Sequence, residues 1–518
     1  MVVCGGARLR RRGSTTRRAV SRTARSRRTG VCKHRGDRTR RSRSPPNPLP
    51  RPPNPEATAV TVPGPGAIWV GQTERRRPAG VLPPGVMVAR NFVAARLLVT
   101  AGGVPVGQVD VPLRAGAASP AAVAAAVEAG TGATPDPAPP PVSDEPLTVV
   151  VATRGRPGSV GRCVRAILAG DHPAVTVLVV DNDPPDDRTE QVVRRINTEI
   201  VAGTPARNSA PVHYVREMRR GASAGRNRGL LEARTPVVAF TDDDTEPDRS
   251  WASRVSGAFA ADPELTGISG PVLAARLGTP QEQAADTALA WNKGYEPRRF
   301  SLDEPPEDSA VFPFSPGLFG IGANMAVRRD AVLRLGSFDE ALGPGAETRG
   351  GEDIELLVRI VLDGQVLGYV PSAFVWHHHR PGDDELRAQM RGYALGLGAF
   401  LGKVALDPRA RAVALRRAPA ALARLRHVIR RESGEGAGGG SDAARDALPS
   451  GAGRRKLRGL LSGPVLYVRA RRRVRDSDGS APPMTFPVDR EAADVPERPP
   501  GVADPPASGP PADRPPAA

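Results

Sequence analysis

The apolar run Val237-Val238-Ala239-Phe240 continues through Thr241 into three consecutive carboxylates, Asp242, Asp243 and Asp244. Folding alone gives no reason for that. Three like charges at the end of a buried strand repel one another unless a cation or water relieves them. The pattern therefore predicts a strand that ends at the C-terminal edge of a sheet, where open α/β sheets bind their ligands. Ligands that offer only oxygen suit Mg²⁺ or Mn²⁺, and these ions commonly accompany a diphosphate.

The surrounding sequence alternates strand and helix patterns. Leu147 to Ala152 is apolar except for Thr148, and a helix is expected from about Pro157 to Ala169, with proline in its first turn. Val175 to Val180 reads as a second buried strand ending at Asp181-Asn182, and a helix from about Asp187 to Ile200 follows. Next come a strand at Val212 to Val215, a helix through Gly225 to Ala233, and the Asp-terminated strand. This spacing implies an α/β fold with a mostly parallel central sheet covered by helices on both faces. Further on, a strand is expected near Leu318 to Val327 and a helix from about Asp353 to Leu362.

The rest of the 518-residue chain is organised around that block. We divide it into an Arg/Pro-rich tail (1–66), a small β segment (67–115), an Ala/Pro linker (116–146), the α/β domain (147–405), a basic helical segment (406–480) and a second tail (481–518). Residues 1–50 hold 16 Lys+Arg against the single acid Asp37, so most of the formal charge of +18 belongs to the first tail. Both tails lack the apolar content to offset chain entropy and are expected to be disordered. No aromatic residue interleaves the arginines, so specific nucleic-acid binding is not expected. Met87 is an alternative start. Cys4, Cys32 and Cys163 do not form a disulfide framework, Cys163 reads as a small buried hydrophobe, and a reducing cytoplasm fits. No apolar stretch reaches 18 residues, which predicts no membrane span. In the basic segment, Lys456 to Val474 sets Leu457, Leu460, Leu461, Val465, Leu466 and Val468 beside clustered arginines. That pattern suits either an interfacial membrane segment or a piece packed on the main domain, with Gly463-Pro464 expected to interrupt a helix.

Thr153-Arg154-Gly155-Arg156-Pro157 follows the first strand of the α/β block, where a helix N-terminus and arginines favour an anion. Asp181, at the same sheet edge, can accept hydrogen bonds from a base or ribose, or cap the turn that follows. In Gly221 to Gly229 the small residues allow close helix packing, and Arg226 is placed to meet a phosphate. Gly350-Gly351-Glu352-Asp353 presents two acids in the first turn of a helix behind a double glycine, an arrangement suited to a general base on a mobile loop. In Trp376-His377-His378-His379, strand periodicity puts His377 and His379 on one face, so either can complete a metal site or contact a diphosphate.

As an ordered set these segments resemble the bacterial family 2 glycosyltransferases, inverting enzymes of the GT-A fold that use nucleotide-diphospho-sugars. The resemblance runs from about Leu147 to Pro381. It rests on Val149 to Pro157, Val179 to Asn182, Gly225 to Leu230, Phe240 to Asp244, Gly322 to Ala326 with Gly336 to Glu340, and Gly351 to Asp353. It implies that Thr153, Arg154 and Asp181 contact the nucleotide and that Arg226 lies near the diphosphate. Asp242 and Asp244 match the metal-binding pair, with Asp244 as the direct ligand and Asp242 also on the nucleotide side. Asp353, with Glu352 beside it, matches the catalytic base, and His379 or His377 the late metal-proximal histidine. Asn324 fits an acceptor- or sugar-side strand, and Gly351 is assigned to the acceptor side. Trp291 either shapes the acceptor site or packs a loop. Asp-Asn after the second strand departs from the usual acidic pair. The implied donor is UDP-linked, the cofactor Mg²⁺ or Mn²⁺, and the acceptor a hydroxyl in cell-envelope polysaccharide, glycolipid or metabolite glycosylation. The expected location is cytoplasmic, peripheral at an anionic inner membrane face. A sugar-nucleotide pyrophosphorylase needs a glycine-rich loop where Thr153 to Pro157 has one glycine, and a basic binding protein leaves both acid clusters unexplained.

Overall fold

A computed structural model describes residues 66–81, 91–132, 135–202, 210–315, 317–379, 382–419, 452–477 and 479. The expected tail before residue 66, Met87, residues 420–451 of the expected basic segment and the tail from 481 fall outside them.

The first described part is a small layered unit. Strands β1 (Ala67–Glu74), β2 (Phe92–Ala101) and β3 (Val104–Pro112) form a sheet in that order, β1 parallel to β2 and β2 antiparallel to β3. Strand β2 is continuous through Ala94 to Arg96, and Gly102-Gly103, both at positive φ, is the tip of the β2–β3 hairpin. Helix α1 (Pro120–Thr131) corrects the expectation of a linker over 116–146. Ser119 caps it by accepting from the Ala122 N–H, proline occupies its first turn, and Val123 and Val127 pack against Ala95, Leu97 and Val109. Alanine-rich composition resembled a linker here, while the Val123/Val127 spacing carried the helix.

The α/β domain follows as β4 (Leu147–Thr153), α2 (Pro157–Leu168), β5 (Val175–Asn182), α3 (Arg188–Val201), β6 (His213–Glu217), α4 (Ala222–Glu232) and β7 (Val237–Asp242). Then come β8 (Thr245–Pro247), α5 (Trp251–Ala261), β9 (Leu265–Ser269), β10 (Val272–Ala274), α6 (Pro280–Leu289), β11 (Arg298–Phe300), β12 (Asn324–Arg328) and α7 (Arg329–Arg334). The chain closes with α8 (Glu352–Leu362), β13 (Val366–Tyr369), β14 (Val375–His377), α9 (Asp383–Leu406) and α10 (Ala452–Asp476). An eight-stranded sheet runs β11-β13-β9-β12-β7-β4-β5-β6. It is parallel across β7-β4-β5-β6 and between β9 and β13, while β12 is antiparallel to both neighbours and β11 to β13. The strand expected from Leu318 begins only at Asn324.

Alternation along the strands divides the core. Val149, Val151, Val177 and Val179 face α2, α3 and α5, whereas Val150, Leu178 and Val180 face α4 and α8. Helix α4 lies close to β4 because Gly229 has no side chain; a Cβ there would stand 2.4 Å from Val150 Cγ1. The chain runs outward from β4 through β5 to β6 and returns to β7 on the other side of β4, which makes the β4/β7 junction a topological switch point. Register brings Thr153 beside Asp181 and Ala152 beside Asp242, so the three strand ends are level.

Among the described residues no helix is long and apolar enough to cross a membrane. Pro464, expected to break the C-terminal helix, lies inside a continuous α10, and its ring fills the space left by Gly402 of α9.

Candidate active site

The three carboxylates after β7 have different surroundings. Asp242 is the most exposed and takes Arg226 Nη2 at 3.1 Å. Asp243 is buried: the Thr153 hydroxyl donates to its Oδ2 at 2.5 Å, and Arg156 Nη2 lies within ion-pair reach of Oδ1 at 3.0 Å without hydrogen-bond alignment. Burial pushes the Asp243 carboxyl up to about 7, opposed by Arg156 and assisted by Asp244. Asp244 is also buried, with Arg156 Nη1 on Oδ2 at 2.7 Å and His377 Nε2 3.2 Å from Oδ1. Burial raises this carboxyl too, but His377 and Arg156 outweigh it and hold Asp244 well below the usual carboxylate range.

A second, three-stranded sheet brings His377 to that position. Strand β14 lies between β10 and β8, with His377 opposite Thr245, the residue after Asp244, and the His378 N–H donates to the Asp244 carbonyl at 2.9 Å. His377 and His379 do share a face, their rings 5.4 Å apart, with the Trp291 ring 4.7 Å from the first and 5.3 Å from the second. Only His377 meets a strand-end carboxylate. His379 Nε2 lies 3.6 Å from Asp286 of α6. Trp291 is buried against these rings, so it packs the histidine loop.

Arg226, in α4, links the two acid clusters. It is buried, with Nη1 on Glu352 Oε1 at 2.7 Å and Nη2 on Asp242. Burial alone would lower its pKa, but Glu352, Asp242 and Asp353 raise it above the ordinary arginine value. Burial also pushes the Glu352 carboxyl up to about 7, with Asp353 adding and Arg226 opposing. Glu352 is therefore an anchor for Arg226 and has no exposed edge for a substrate. Asp353 is only half-buried. Its Oδ2 accepts from the Gly322 N–H at 2.8 Å and its Oδ1 from its neighbour Ile354 at 2.8 Å. A side chain at Gly322 would meet both Asp353 Cβ at 3.1 Å and Arg226 Nη2 at 3.2 Å.

At the β5 end, Asp181 is fully buried, with Tyr214 donating to Oδ2 at 3.0 Å and no hydrogen bond on Oδ1. Burial raises its pKa. Arg154 bonds Asp183 at 2.8 Å on the exposed rim. Asn182 has a structural role: its amide donates to the Arg219 carbonyl and its oxygen accepts from the Gly221 N–H, which fixes the entry to α4.

Several expectations change at this level. The Thr153 hydroxyl is engaged by Asp243 instead of facing outward. The Asn324 side chain is saturated inside the fold, accepting from Trp251 and donating to the carbonyls of Pro271 and Ala373. Gly350-Gly351 is a packing device and no hinge: at Gly351, φ 92°, a Cβ would stand 2.7 Å from the Gly396 carbonyl oxygen, and one on Gly396 would stand 2.5 Å from the Gly350 carbonyl carbon. Helix α9 thus lies directly on the loop before Asp353. Behind it, Lys403 of α9 pairs with Asp339 at 2.7 Å and Glu355 at 2.9 Å, Tyr467 of α10 donates to Asp339 at 2.9 Å, and Arg473 pairs with Glu347. The sequence reading took Arg156 with Arg154 as anion-favouring but did not pair it with Asp243 and Asp244, and it did not bring α9 and α10 onto the acid loop. The signal for Arg156 was its place two residues after Arg154 in the same loop; for α9 it was the spacing Gly392, Gly396, Gly398, Gly402.

Residues 148–333 match the family model for glycosyl transferase family 2. The chain is 28% identical over 240 residues to a pre-mycofactocin glycosyltransferase of Mycobacterium tuberculosis, covering 46% of this chain and 44% of that protein. It is 23% identical over 278 residues to a hyaluronan synthase of Pasteurella multocida, covering 50% and 27% respectively. The chain thus spans less than half the length of these relatives. A solved mannosyltransferase from Pyrobaculum calidifontis, in complex with GDP-Man and Mn²⁺, is similar with a TM-score of 0.36 and 21% identity, over 67% of this chain and 91% of that one.

Proposed function

Since residues 148–333 form a glycosyl transferase family 2 domain, we propose that the protein transfers a sugar, with inversion, from a UDP-linked donor to an acceptor hydroxyl. The observation that carries this reading is the convergence of the strand-end acids and the loop acid on one guanidinium. Arg226 holds Asp242 on one side and Glu352 on the other, with the accessible Asp353 next to it. In the proposed reaction Asp353 removes the proton of the acceptor hydroxyl as that oxygen attacks the anomeric carbon, and the bond to the diphosphate breaks on the opposite face. In this reading Arg226 takes up charge on the leaving diphosphate by exchanging its Asp242 contact for it, and Asp181, whose Oδ1 has no hydrogen bond, serves the base once its cover moves. Arg154 stands on the nucleotide rim.

The donor atoms fit a hard divalent ion. Asp244 Oδ1 is buried without a hydrogen bond and lies 3.2 Å from His377 Nε2, which supplies one oxygen and one nitrogen ligand. Among the described residues no group of three or more His, Cys, Asp or Glu is arranged to hold an ion, so further ligands belong to the diphosphate and water. Bound there, Mg²⁺ or Mn²⁺ would neutralise charge on the leaving group. The relatives are named for different acceptors, and a hydroxyl is the chemistry assigned here. We assign the enzyme to the cytoplasm.

Calorimetric titration of the protein with UDP, GDP and ADP, with and without Mn²⁺, tests the reading. Metal-dependent binding of UDP that is lost in the Asp242→Ala/Asp244→Ala variant is expected. Absence of nucleotide binding by the folded protein sinks it, and preference for another base corrects the donor.

A further inference from the structure

Helix α10 has two faces with different tasks. The inner face carries Gly459, Gly463, Tyr467 and Ala470, all buried, and crosses α9 at backbone contact; a Cβ on Gly463 would stand 2.4 Å from the Gly398 carbonyl carbon. The outer face follows the positions 458, 461, 465, 469 and 472, spaced three or four apart, which places Arg458, Leu461, Val465, Arg469 and Arg472 in one exposed stripe. Leu461 is 69% and Val465 62% exposed, large values for aliphatic side chains with basic residues on both flanks. The helix carries nine Lys and Arg against the single acid Asp476. Arg473 and Arg469 reach back to Glu347 and hold the helix to the loop ahead of Asp353.

We propose that this outer face of α10 docks on an anionic lipid bilayer. The central aliphatic strip enters the headgroup boundary and the flanking arginines meet lipid phosphates, the division of labour of an interfacial helix. Charge selects this occupant. A second copy of the chain would bring one strongly basic helix against its equal in a two-fold contact, where like charges oppose association. Nucleic acid would find no aromatic ring in the stripe on which to stack. Docking there leaves α10 and α9 between the bilayer surface and the Asp353 loop. The inference is independent of the donor chosen above.

The test is co-sedimentation of the full-length protein with vesicles of phosphatidylcholine alone and of phosphatidylcholine with phosphatidylglycerol, in low and high salt. Binding is expected only with phosphatidylglycerol, weakened by salt, and about tenfold weaker or more in Leu461→Glu/Val465→Glu and in Arg458→Gln/Arg472→Gln. Both pairs are exposed, and an unchanged thermal melt keeps loss of fold apart from loss of binding. Absence of vesicle binding, or binding by both variants as tight as that of the wild type, overturns the proposal. So does a concentration-dependent dimer, seen by light scattering, that Leu461→Glu/Val465→Glu abolishes, because it assigns the strip to a second copy.

Discussion

Gly396→Ala offers the sharpest test of the claim that α9 sets the position of Asp353. A Cβ at residue 396 would stand 2.5 Å from the Gly350 carbonyl carbon and 2.7 Å from its oxygen, whereas ordinary contact begins at 3.4 Å. The helix and the loop must therefore separate by about 0.9 Å, and the loop carries Asp353 three residues later. Misplacing a catalytic group by about 1 Å can cost on the order of 10²-fold in turnover, so a loss of roughly 10- to 10²-fold is expected. Overpacking of this kind also costs about 1–3 kcal/mol of stability, which by itself says nothing about the site. Gly402→Ala separates the two effects. Its Cβ meets Pro464 Cα at 2.6 Å, an equally tight crossing, but on α10 and away from the acid loop. Release of UDP from a UDP-sugar with water as acceptor gives turnover, calorimetry with UDP and Mn²⁺ gives donor affinity, and thermal denaturation gives stability. We expect both variants to lose stability, only Gly396→Ala to lose turnover strongly, and neither to lose donor affinity. Equal turnover in the two variants, or an unimpaired Gly396→Ala, would mean that the α9 crossing does not set the position of Asp353.

Three further outcomes follow from the buried charges. Lys403→Met leaves Asp339 and Glu355 without their shared cation and should cost roughly 3–5 kcal/mol, with part recovered in Lys403→Met/Asp339→Asn; additive losses in a denaturation cycle would contradict the pairing. Glu352 has a folded pKa of about 7, above the ordinary carboxylate value, so the folded state binds the extra proton and the stability that Glu352 contributes falls as pH rises from about 4.5 to about 7. The melting temperature of the wild type relative to Glu352→Gln should fall across that window and level off above it, and a constant difference would count against the shift. Arg156→Ala frees Asp243 and Asp244 from their guanidinium and should tighten Mn²⁺ binding in the absence of nucleotide, measured by calorimetry; weaker binding would mean that Arg156 orders the carboxylates instead of neutralising them.

The parallel half of the sheet was legible because Leu147 to Thr153, Val175 to Asn182 and Val237 to Asp242 are near-continuous apolar runs ending in polar residues, and two-sided burial leaves few other assignments. The acid clusters were legible for the converse reason, since repulsion makes them improbable as packing. Strand parity correctly placed His377 and His379 on one face, but the β8/β14 register that gives Asp244 to His377 is a long-range fact with no local signature. Asn324 sat in a strand at the right place, yet its amide is consumed by Trp251, Pro271 and Ala373, partners far away in sequence. The double glycine was misread because close approach and flexibility demand the same residue; only the facing Gly396 distinguishes them.

The contacts of Tyr467 and Lys403 with Asp339 have a consequence for biosynthesis. The strand ends that carry Thr153, Asp181 and Asp242 are translated well before α9 and α10, and chains of this size fold progressively from the N-terminus as they are made. The half proposed to hold the nucleotide can be assembled while the loop ahead of Asp353 still waits for the helices that fix it. On the proposed reading, a chain cut off before residue 452 would grip a donor and use it poorly, which would make the last turns of α10 a late lock on transfer.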